Sequence, residues 1–205
     1  MADVKITALP SATVPLAGTE VFEVVQSSTS KQVAASAIAN TATAIPYASL
    51  SGRAYLSACS TVDQTGSTSA ATAVLIGTTN FSSGISITNN GSGNPTRITF
   101  AVAGTYMIAP SVQLANSAST NYTTSVWARK NGTDIANSNT VVSVPKVADG
   151  GNTFCQVVLY EQVTAGQYIE IMWLPQNTAV TLDYIAAGAI APAAPSIILS
   201  CERIA

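Results

Sequence analysis

From residue 53 onward, apolar residues recur at every second position in short runs rich in β-branched and aromatic side chains, and Gly, Asn, Ser and Pro separate the runs. The pattern predicts strands at 54–62, 73–76, 85–88, 97–102, 105–114, 123–130, 140–144, 153–163, 167–174, 180–185 and 196–204. Lys130-Asn131-Gly132-Thr133 carries an Asn-Gly pair, which tolerates positive φ at both central positions of a tight hairpin. Thr164-Ala165-Gly166 and Ala103-Gly104 read as two more short connections between long strands. Strands joined by short turns, with no crossover helices, predict antiparallel pairing. Roughly ten of them in this length fit a two-sheet Greek key or jelly roll.

One strand shows more than simple alternation. In Gln167-Tyr168-Ile169-Glu170-Ile171-Met172-Trp173, the Ile169, Ile171 and Trp173 face is wholly apolar and is expected in the core. The other face, Tyr168, Glu170 and Met172, is mixed, and makes a candidate subunit interface.

The first 45 residues follow a different pattern. Lys5-Ile6-Thr7-Ala8-Leu9-Pro10 reads as an extended lead-in ended by proline, Leu16-Ala17-Gly18-Thr19 as a turn, and Val21-Phe22-Glu23-Val24-Val25 as a strand. Residues 30–44 are rich in alanine, with Val33, Ala37 and Ile38 on one stripe, and predict a short helix. So few large side chains cannot hold a strong core alone, so this segment must lean on something else. Residues 46–52, with Pro46 and Gly52, read as a linker to a domain spanning 53–205.

Composition narrows the function. The 205-residue chain is 47% hydrophobic and only 9% charged, with a net charge of −2. Ordinary domains carry roughly 25% charged residues, so this surface must be built largely from Ser, Thr, Asn, Gln and Ala. A neutral, hydroxyl-rich surface suits a protein packed against copies of itself. The eight Lys and Arg are scattered, which argues against a nucleic-acid partner. No apolar run is long enough to span a bilayer, and the start lacks the apolar stretch of a secretion signal.

Catalytic chemistry has little to work with. There is no histidine, so Ser-His and Cys-His nucleophile pairs are impossible. With Thr164–Gly166 as a hairpin turn, Tyr160 falls opposite Glu170. Glu161 and Glu170 then point to opposite faces and make no acid/base pair. Cys59, Cys155 and Cys201 lack metal-ligand spacing and read as small apolar residues in strands. Asp134, Asp149 and Asp183 lie near loops without an organised calcium motif and read as turn formers. No cofactor or metal is expected. The polar, aromatic-bearing loop around Asn116, Ser119, Asn121 and Tyr122 is the candidate surface-binding element, suited to a host glycan or protein.

Four segments in order carry a family likeness: Phe100-Ala101-Val102-Ala103-Gly104-Thr105-Tyr106, Trp127-Ala128-Arg129-Lys130-Asn131-Gly132-Thr133, 163–173, and Pro195-Ser196-Ile197-Ile198-Leu199. Together they resemble the bacterial and phage branch of C1q/TNF-like domains across residues 53–205. The resemblance implies a ten-strand jelly roll that trimerises about a three-fold axis, with first and last strands adjacent. Cys59 and Cys201 would then lie on neighbouring strands. The N-terminal stretch containing Ile6, Leu9, Pro10, Leu16 and Val24 is similar to the leaders of phage tail-fibre and virion-surface proteins, and implies a particle anchor.

The expectation is a non-enzymatic virion structural protein at the virion surface: a homotrimeric short fibre or spike, anchored to other virion proteins by residues 1–45. A capsid decoration protein is the rival within that class, and a soluble lectin-like module is the rival outside it.

Overall fold

The structure is a computed structural model that describes residues 53–205 and the backbone of 21–26 and 29–34. The chain divides into two compact units, Met1–Gly52 and Arg53–Ala205. In the first, β1 (Val21–Gln26) pairs antiparallel with β2 (Thr29–Ala34), in a register that sets Val24 opposite Lys31. The helix expected from residue 30 therefore does not begin there. Residues 30–34 complete a hairpin, because pairing with β1 outweighs the weak helix propensity of a short alanine-rich stretch. Residues 35–44, and the anchor candidates Ile6, Leu9, Pro10 and Leu16, lie outside the described residues.

The second unit is an antiparallel two-sheet jelly roll. One sheet has β9 (Gly104–Asn116) at its centre, flanked on one side by β13 (Asn152–Gln156) and β14 (Leu159–Val163). On its other side run β17 (Ile197–Arg203), β3 (Tyr55–Ser60) and β6 (Thr78–Ser83), with β16 (Val180–Leu182) and β4 (Gln64–Thr65) extending the far end. The facing sheet has β15 (Tyr168–Pro175) between β10 (Tyr122–Lys130) and β8 (Pro95–Phe100). It is completed by β7 (Ile85–Asn89), β12 (Thr140–Val144) and the short β5 (Thr72–Ala73) and β11 (Thr133–Asp134). First and last strands of the domain are neighbours, as β3 pairs with β17 over six residues.

Two of the short connections do not join paired strands. The 103–104 link carries the chain from β8 in one sheet to β9 in the other, and 164–166 carries it from β14 to β15 across the sandwich. β14 and β15 are not partners, so the inferred opposition of Tyr160 and Glu170 does not exist. Glu161 instead pairs with Lys130, tying the two sheets together at their edge. The Asn131-Gly132 turn is as expected: φ is 48° and 84°, and Lys130 stands opposite Thr133.

The core lies between the sheets and follows the alternation. Along β9, Tyr106, Ile108, Val112 and Leu114 are buried and face Ile98, Phe100, Val126, Ile169, Ile171 and Trp173 from the other sheet. Phe100 and Tyr106 meet with ring centroids 4.5 Å apart, and the Tyr106 hydroxyl donates to the Val102 carbonyl at 2.8 Å. The single apolar rows of the two sheets thus supply one continuous core.

Candidate functional site

The outer face of the sheet centred on β9 is the feature that a packed core does not explain. Register fixes its rows. Tyr160, Met107, Glu202, Tyr55 and Ser83 stand side by side across five strands. The next row is Ala109, Ser200, Ser57 and Phe81, and beyond it come Gln156, Ser111, Ile198, Cys59 and Thr78. Phe154, opposite Gln113, begins the last. The middle strands of the face therefore carry Met107, Ala109, Ser111, Glu202, Ser200 and Ile198, and its flanks carry aromatic rings. Glu202 is the one charged residue in these rows.

Large apolar side chains here are open to solvent: Phe154 is 63% exposed, Phe81 and Tyr160 61%, Ile198 46% and Tyr55 43%. The Tyr55 and Phe81 rings pack edge to face at 6.0 Å, forming one apolar ridge. Small residues in the centre permit close approach of another surface, and rings at the flanks supply apolar area on contact. Aromatic residues and Met are enriched in interfaces. Several large exposed apolar side chains gathered on one face mark an interaction surface.

The facing sheet has an opposite character. Tyr168, Glu170 and Met172 lie on its outer side as the alternation requires, yet Glu170 is only 8% and Met172 only 3% exposed. Thr96 Oγ1 donates to Glu170 Oε1 at 2.6 Å, Arg97 Nε lies 3.9 Å from the same oxygen, and the Arg97 guanidinium stacks 4.1 Å over the Tyr168 ring. Met172 stands beside Trp127 and Ala73. Neighbours within the same protomer already cover these residues, so they offer little area to a second subunit.

The binding-loop candidates separate. Asn116 is buried: its amide donates to the Thr120 and Val144 carbonyls at 2.9 and 3.3 Å, and its Oδ1 accepts from the Ala118 amide at 2.9 Å. It shapes the loop and cannot meet a ligand. Asn121 Oδ1 accepts from the Lys146 amide at 2.8 Å, and half-buried Tyr122 packs against the core. Ser119 is exposed.

The aspartates are dispersed. Asp134 accepts at 2.7 Å from both Trp127 Nε1 and Arg129 Nε, which hold its carboxyl below the usual carboxylate range. Burial, then the nearby Asp63 charge, pushes Asp183 up. Asp149 lies 3.8 Å from Lys146 Nζ. Among the described residues, no three Cys, Asp or Glu side chains gather where a metal ion would sit.

The outward aromatic rows escaped the sequence reading. Their signal was present: Phe154 and Tyr160 alternate with core-facing Cys155 and Leu159, and Tyr55 with Leu56. What was missing was the pairing that brings them onto one face.

No protein-family model matches the chain, and no curated protein matches it by sequence. Solved structures similar to it include murine APRIL at pH 8.5, at 11% identity and a TM-score of 0.46, covering 74% of this chain and 99% of that one. Murine APRIL at pH 5.0 is similar over the same shares, at 10% identity and the same TM-score.

Proposed function

We propose that this chain is a non-enzymatic structural subunit that assembles as a homotrimer through the outer face of the sheet centred on β9. The observation that carries this reading is that face itself, with exposed aromatic flanks, exposed Ile198 among small residues at its centre, and Glu202 as its single charge. A lone protomer would leave this apolar area in water. Packed against copies, it gains roughly 25 cal/mol for each Å² of apolar surface covered, and stable interfaces cover about 800 Å² per partner.

Residues 1–45 attach the trimer to a virus particle, and the Arg53–Ala205 jelly roll projects from it as a short fibre or spike. This part of the proposal rests on the likeness of the N-terminal segment to virion-protein leaders. Light scattering at micromolar concentration tests assembly. A mass three times the 20.9 kDa protomer is expected, and a monomer would overturn the trimer. Antibody labelling of purified particles tests the location. Label at tail or spike positions supports the fibre, label across the head shifts the assignment to capsid decoration, and unlabelled particles overturn the virion reading.

A further inference from the structure

A second surface lies on the opposite side of the sandwich, where a cavity of about 290 Å³ opens on the outer face of the sheet centred on β15. Trp127, Asp134, Ile135, Asn137, Asn139 and Leu174 line it. We propose that this cavity binds one sugar residue of a neutral glycan.

The lining has the two parts that sugar recognition needs. Trp127, Ile135 and Leu174 supply an apolar wall for the C–H face of a pyranose, and the polar residues meet its hydroxyls. The Trp127 Nε1–H is fixed to Asp134 Oδ1, which holds the indole in place before any ligand arrives. Arg129 Nε donates to the same oxygen, so Oδ2 has no partner among the described residues and is free to accept from a hydroxyl. The Asn137 and Asn139 amides likewise make no hydrogen bond among the described residues. Each presents a donor and an acceptor side by side, the pattern that adjacent hydroxyls satisfy. Asn137 adopts the left-handed region at φ 61°, which asparagine tolerates better than most residues.

Charge selects the kind of sugar. The one carboxylate in the cavity is already matched by Arg129, and no lining residue is a free cation. An acidic sugar or a phosphate would enter beside an anion with nothing to neutralise it. The volume lies just under the roughly 300–1,000 Å³ of drug-sized pockets, which suits one ring better than an extended chain. The cavity faces away from the apolar rows, so covering those rows leaves it open. The inference goes beyond the trimer and does not need it, but three copies on one particle knob would strengthen a weak single contact.

The test titrates the full chain with the methyl glycosides of glucose, galactose, mannose and N-acetylglucosamine, and with sialic acid. Saturation-transfer NMR and tryptophan fluorescence are the readouts. Trp173 is fully buried, so a saturable fluorescence change reports Trp127. At least one neutral glycoside is expected to saturate in the millimolar range, and sialic acid is not. Asn139→Ala, Asn137→Gly and Asp134→Asn should each weaken that binding about tenfold, the loss of a single hydrogen bond of ordinary to charge-assisted strength. Glycine suits the backbone at 137, and 139 is exposed, so those two variants fold. No saturable signal with any neutral glycoside, equal affinity in all three variants, or preference for sialic acid would each overturn the proposal. Light scattering on the same samples reads the trimer separately.

Discussion

Cys59 and Cys201 lie on hydrogen-bonded neighbouring strands and face opposite sides of the sheet. Cys201 stands across from Leu56 and points into the core, whereas Cys59 stands across from Ile198 on the outer face. The sheet itself separates the two sulfurs, and all three cysteines are free. Oxidation of the native protein is therefore expected to form no intramolecular bridge, so non-reducing and reducing peptide maps should coincide. A Cys59–Cys201 disulfide in folded protein would contradict the register.

The same burial has a pH consequence. Desolvation, with a smaller contribution from the Glu202 charge, pushes the Cys201 thiol up to about 12 from a reference value of 9.0. The unfolded chain then releases this proton more readily than the folded one. Its contribution is intact below pH 9 and is lost as pH rises toward 12, amounting to a few kcal/mol at most (about 1.4 per pKa unit). Urea melts between these limits should show Cys201→Ala losing less stability with rising pH than the parent.

Assembly can be broken without touching the core. Ile198→Glu places a carboxylate in the centre of the apolar rows, where burying an unpaired charge costs on the order of 3–5 kcal/mol. The variant is expected to sediment as a folded monomer. Val141→Glu, at an exposed apolar site on the other sheet, should remain a trimer. Equal behaviour of the two would remove the face from the assembly.

Gly66 is a close-packing site. A Cβ there would lie 2.8 Å from Pro175 Cδ and 2.9 Å from the buried indole of Trp173. Gly66→Ala should destabilise the domain by about 1–3 kcal/mol, the usual cost of overpacking. A lowered melting temperature and an altered near-ultraviolet signal from Trp173 are the measurements.

Asp134 gives a signal at low pH. Its carboxyl is depressed, first by the Arg129 hydrogen bond and then by that from Trp127. The interactions are intact above the ordinary aspartate range and are lost as pH falls through the depressed value. The side chain is 54% exposed, so the stability at stake is small. The indole nitrogen shift of Trp127 should move with this titration, and that of Trp173 should not.

Much of the sandwich was legible because β9 and β10 bury alternate residues, and a period of two survives any choice of partner. β6 was invisible: Thr78–Ser83 is exposed at every position, so no apolar row marks it. The break between β13 and β14 was hidden because Val157-Val158 continues the apolar run across it. Turn residues misled at 103–104 and 164–166 because Gly reports local φ freedom, not which strand lies alongside. Asn116 shows a related limit. Composition marks a polar loop around it as a binding candidate, and only the fold shows its amide buried beneath that loop. The interface candidates at 168–172 were on the side alternation predicts, but Arg97, Thr96 and Trp127, which cover them, come from distant sequence.

The placement of β3 has a mechanical consequence. It is the first strand of the jelly roll and is gripped on both sides, by β17 and β6. Antiparallel hydrogen bonds run across the strands, so tension delivered at residue 53 along the axis of β3 loads both ladders in shear, with all their bonds sharing it. Peeling them apart one by one would take far less force. The domain is thus built to resist tension applied along its own first strand.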